Sequence, residues 1–149
     1  MHYIEVNQSG KIEQTSYDTA LAFSNGIQSA ILIPATVKRE VLHELRVRGV
    51  HPEMIHIRMF AAGVFLLLES YLEGLENIVI DVEYEGREGE IKGLLLRHIL
   101  EMRPDFQTDA ITFRQISKKS PAHKLAIATH RGDRKAEKVI AAWELLGFC

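Results

Sequence analysis

The chain has 149 residues, 46% hydrophobic and 26% charged, with a formal net charge of −2. That size suits a single domain over residues 1–149, and the near-neutral balance excludes a global attraction to polyanions, so nucleic-acid contact would need a local basic patch. One cysteine, Cys149, excludes an internal disulfide and a thiolate zinc site, and fits a reducing compartment.

Residues 3–7 (Tyr-Ile-Glu-Val-Asn) alternate apolar and polar, as a half-buried strand does, and Ser9-Gly10 supplies a turn. Residues 11–15 read as a short partner strand. Residues 20–24 open a further segment, broken by the hairpin signal Asn25-Gly26, and residues 29–33 continue as a strand up to Pro34. Thr36 is placed to cap a helix over residues 37–48, with Val41, Leu42 and Leu45 on one face and Gly49 at its end.

A second helix starts at Pro52, which suits a first-turn position, and reaches Gly74. Its middle is apolar nearly all round, which predicts a central buried helix. Its apolar run, residues 59–68, falls short of the roughly 20 residues that cross a bilayer. The N-terminus also lacks a signal-peptide layout, so a cytoplasmic chain with no membrane partner is expected.

Residues 77–84 form the clearest strand, because Ile78-Val79-Ile80 is a continuous apolar run suited to burial on both faces. Helical spacing returns at Ile91, Leu94, Leu95, Ile99 and Met102 and stops before Pro104. Residues 110–116 alternate as the last strand. Residues 120–146 carry helical periodicity, opened by Ser120-Pro121 and broken at Arg131-Gly132-Asp133. The opening third counts as three strands, which favour an antiparallel meander. The later strands, each separated by a helix, favour parallel crossovers. A three-layer α/β/α domain on a mixed five-stranded sheet follows.

Several residues suit chemistry. Asp81 directly follows a buried apolar run, where a carboxylate needs a partner or water; a strand end emerging into solvent is the plain alternative. The stretch from Asp81 to Glu90 holds five acids in ten positions, and dense carboxylates attract hard cations such as Mg²⁺ or Mn²⁺. Glu88 and Glu90 equally suit the positive end of the next helix. Glu53 and His56 lie three apart on one helix face and could share an ion, although a histidine there commonly serves structure alone. Glu5 and Asn7 share a strand face. Lys118, Lys119 and Lys124 flank a helix start and suit phosphate contact, or a solvated turn, and His123 would carry a proton or a ligand in the first turn.

The order strand-strand-strand-helix-strand-helix-strand-helix resembles the ribonuclease H-like superfamily over most of the chain. It is similar in particular to uncharacterised members whose first strand ends in Asp-Glu-Ser-Gly, which here reads Asn7-Gln8-Ser9-Gly10. The resemblance implies divalent-ion binding by acids from the first strand, a preceding helix, the fourth strand and the last helix. Asp81 matches the fourth-strand acid and Glu53 the helix acid. Amides replace the first-strand acids, with Glu5 one pleat away as a substitute for Asn7, and His123 stands at the last-helix position. Two readings follow. One is a metal-dependent nuclease acting on DNA or RNA, with Asp81, Glu53 and His123 catalytic, Asp81, Glu53, Asn7, Glu5 and His56 around Mg²⁺ or Mn²⁺, and the three lysines on phosphates. The other is a non-catalytic binding or interaction module that has lost that chemistry. A homo-oligomer is compatible with either.

Overall fold

The computed structural model describes residues 3–149. Strand β1 (Tyr3–Ser9) is followed by a hairpin of β2 (Thr19–Asn25) and β3 (Ile27–Ile33). Helices α1 (Ala35–Val47) and α2 (Pro52–Leu68) come next, then a 3₁₀ turn (Glu69–Gly74), strand β4 (Asn77–Asp81) and helix α3 (Glu88–Met102). Strand β5 (Ile111–Arg114), helix α4 (Pro121–Arg131), strand β6 (Lys138–Val139) and helix α5 (Ala142–Gly147) complete the chain.

The strands form one mixed α/β sheet in the order β5-β4-β1-β2-β3-β6. β2 is antiparallel to both of its neighbours, β1 and β3, while β4 runs parallel to β1, β5 parallel to β4, and β6 parallel to β3. One sheet face, built from Ile4, Val6, Leu21, Phe23, Ile31, Ile33, Ile78 and Ile80, packs with residues of α1, α2, α3 and α5 into the main core. The other face carries α4, through a small cluster of Ala22, Ala30, Leu125 and Ala126. α2 and its 3₁₀ extension are together long and apolar enough to cross a membrane, but most of this apolar stretch is buried inside the protein. Gly63 lets α2 lie close to the sheet, since a Cβ there would stand 2.8 Å from a Leu21 methyl.

The sheet has six strands, not the expected five. The sixth is two residues long and pairs with Ile31 and Leu32, so no periodicity could announce it. The segment after α4 is therefore a strand and a short helix, not one interrupted helix. Gly132, at φ 82°, ends α4 in the left-handed conformation that favours glycine.

Residues 11–15 are a turn and not a strand. Gln8 Oε1 accepts from the Ile12 amide at 3.3 Å, and the Lys38 ammonium donates to the carbonyls of Lys11 and Gln14 at 3.3 and 2.5 Å and to the Thr19 hydroxyl at 2.9 Å. Thr36 does not cap α1. The helix begins at Ala35, whose amide donates to the Asp18 carboxylate at 2.8 Å, so its cap comes from the β1–β2 connection. β4 ends at Asp81, so Glu83 and Glu85 leave the sheet for the loop before α3.

Candidate functional site

From β1 the chain turns toward β2 on one side, and from β4 it crosses toward β5 on the other. The carboxyl ends of two parallel strands whose connections diverge are the usual place for a ligand in an α/β sheet. Asn7, Gln8 and Asp81 sit there. The parallel register pairs Val6 with Ile80, so Asn7 and Asp81 follow at one level and point to the α4 face, opposite the core residues Val6 and Ile80.

Asp81 is half-buried and accepts from the Ile116 amide at 2.7 Å. Glu83 comes within hydrogen-bonding reach of it. Burial raises the Glu83 carboxyl to about 7, Asp81 adds to the rise by repulsion and by that hydrogen bond, Lys11 opposes it and Glu13 reinforces it. Glu83 therefore keeps its proton to near neutrality. Asn7 is 3% exposed and Gln8 8%, and the side-chain nitrogens of both lack a hydrogen-bond partner among the described residues. Gln8 points to the other face, where its Oε1 lies 3.4 Å from the Tyr84 hydroxyl, which also donates to Glu13 at 2.8 Å.

α4 runs along β1. At its start Ser120 caps the helix and donates to Glu5 at 2.8 Å, and at its end His130 Nδ1 lies 3.1 Å from the Ser9 hydroxyl. His123 is seven residues before His130 and so shares its β1 side, above the stretch holding Asn7. Gly10 makes this closeness possible: at φ 77°, a Cβ there would stand 2.9 Å from the His130 ring.

Of the residues singled out in the sequence, Asn7 and Asp81 share the α4 face of the sheet, and His123 lies on α4 itself. Glu5 reaches the same face but is engaged, with Arg114 at 3.3 Å, Tyr3 at 3.1 Å and Ser120. Glu53 is exposed and paired with Arg87 at 3.1 Å, on the side of α2 and α3. His56 packs its ring 5.3 Å from that of Tyr84, on the main-core side. Among the described residues no three His, Cys, Asp or Glu side chains cluster closely enough to hold a metal ion together.

Lys118, Lys119 and Lys124 are exposed and belong to a larger set that the sequence reading left incomplete. From residue 118 to 135 there are six Lys and Arg residues and one acid, Asp133. Arg131, Arg134 and Lys135 complete the six; all are exposed, and none is in an ion pair among the described residues. Lys124 and Arg131 lie on one stripe of α4 about 10 Å apart, and Lys124 and Arg134 edge one shallow concavity with Gln28. Local charge counting would have found this set. Glu83 was legible only as one acid in a run, because its pairing with Asp81 depends on where the strand ends.

No family model, curated protein or solved structure matches the chain.

Proposed function

We propose that the chain is a ribonuclease H-like module that binds nucleic acid through α4 and its flanking loops, without two-metal catalysis. The observation that carries this reading is the set of six exposed, unpaired cations along residues 118–135, in a chain whose net charge is −2. Such a set attracts phosphates and releases their counterions, which is the main source of sequence-independent affinity. The central order β5-β4-β1-β2-β3, antiparallel then parallel about β1, supports the ribonuclease H-like part. Loss of two-metal chemistry is supported by the engagement of Glu53 with Arg87 and of Glu5 with Arg114, which withdraws two carboxylates from Asp81.

A second reading, a metal-dependent nuclease, is favoured by the Asp81–Glu83 pair beside Asn7. These oxygens suit one hard cation, Mg²⁺ or Mn²⁺, which would supply Lewis acidity at these strand ends.

Fluorescence anisotropy with labelled single- and double-stranded oligonucleotides, in Mg²⁺ and in EDTA, separates the two. The binding reading expects salt-sensitive association that survives EDTA and weakens at least about tenfold when Lys124, Arg131 and Arg134 are all changed to Glu. Association indifferent to those changes would overturn it. Strand cleavage that needs Mg²⁺ and disappears in Asp81→Asn would establish the second reading instead.

A further inference from the structure

On the opposite side of the sheet, a cavity of about 190 Å³ opens where the β1–β2 connection meets α1 and α2. Its floor is apolar: Ile12, Leu42, Ile55 and Met59. Its rim carries one charge of each sign, Glu13 from the connection and Arg46 from α1. Both are exposed, and neither is in an ion pair with the other or with any described residue. Glu13 is steadied by the Tyr84 hydroxyl at 2.8 Å, while His56 and Thr15 add polar atoms to the lining.

We propose that this cavity binds a free α-amino acid with an apolar side chain. The size fits: a cavity of about 190 Å³ open to solvent takes an apolar side chain on its floor and leaves the charged backbone groups of a free amino acid at its rim. The charges narrow the class further. An uncharged ligand would leave both rim groups unused, a simple carboxylate would face Glu13, and a simple amine would face Arg46. A small zwitterion satisfies both, its carboxylate on Arg46 and its ammonium on Glu13, with the side chain on the apolar floor. Bound there, it would also touch the chain of contacts from Glu13 through Tyr84 to Gln8 of β1. The inference is independent of nucleic-acid binding, which uses the α4 face.

Calorimetric titration of the full chain with L-leucine, L-isoleucine, L-methionine and L-phenylalanine tests it, alongside isocaproate, which lacks the ammonium, and isopentylamine, which lacks the carboxylate. The expected result is saturable binding of at least one amino acid, one molecule per chain, with isocaproate and isopentylamine weaker than L-leucine by about tenfold or more. Glu13→Gln should erase the preference over isocaproate, and Arg46→Ala the preference over isopentylamine. Both positions are exposed, so the variants should fold, and unfolding melts would verify that. Binding by none of the four amino acids, equal binding of the truncated analogues, or amino-acid binding untouched by either substitution would each overturn the proposal.

Discussion

The two faces of the sheet are built on different principles. Toward α2 the strands present Ile4, Val6, Leu21, Phe23, Ile31 and Ile33, each at most 2% exposed, against a helix that is apolar nearly all round. Toward α4 the same strands present Glu5, Asn7, Ala20, Ala22, Ser24 and Ala30. The register aligns Asn7 with Ala22 and Ala22 with Ala30, so a row of small or polar residues runs beneath the helix. The first face holds the fold by buried area and close packing. The second is lined by small and buried polar side chains and lets α4 lie close, while the exposed cations of α4 and its flanking loops are in no ion pair among the described residues. The apolar core and the helix that carries exposed cations are thus kept on opposite faces by the alternation of side chains along β1, β2 and β3.

Substitutions can break that separation if it is false. The largest effect is expected from Phe60→Ala on the α2 side. Phe60 is 1% exposed and meets the Tyr84 ring edge-on with centroids 5.1 Å apart. Its loss should cost about 3–5 kcal/mol by urea unfolding. Next comes Lys38→Met. Lys38 is fully buried, and its ammonium ties α1 to the β1–β2 connection through two carbonyls and to β2 through the Thr19 hydroxyl. Removing the donor strands those acceptors and should cost about 2 kcal/mol, loosening the segment that carries Glu13. On the α4 side, Ala22→Leu should drive a wedge beneath the helix at about 1–2 kcal/mol, less than Phe60→Ala, and weaken oligonucleotide binding by displacing the cations. An Ala22→Leu penalty matching that of Phe60→Ala would show the α4 face to be as tightly packed as the other.

Much of the α2 side was legible in the sequence, for the same reason that it is stable. Ile78-Val79-Ile80 and the apolar centre of α2 are long, one-sided signals that any buried arrangement must honour. What could not be read depends on partners distant in sequence. Asp18 caps α1 from 17 residues away, and Lys38 holds the turn around Ile12 from a different element. β6 exists only because Ile31 and Leu32 offer it an edge. At the site, the strand pattern located Asp81 and Asn7, since register follows alternation. The i, i+3 spacing of Glu53 and His56 placed both on one helix but could not say what each would meet. Arg87 takes the first and Tyr84 flanks the second.

The smallest expected effect probes the carboxyl end of β4. Glu83 has an ordinary carboxyl pKa of 4.5 when unfolded, and burial beside Asp81 raises it to about 7 in the folded chain. Between those values the folded state holds a proton that the unfolded state has released, so this group makes stability fall as pH rises from about 4.5 to about 7. Partial solvation of the loop limits the loss to about 1 kcal/mol. Glu83→Gln should flatten that slope, because the amide can donate to Asp81 at every pH, and should leave the variant more stable than the parent at pH 8. Urea unfolding of both proteins across this range would decide it. Identical slopes would mean that Glu83 is too well solvated to keep its proton, and this end of β4 would lose its claim to be more than a polar loop.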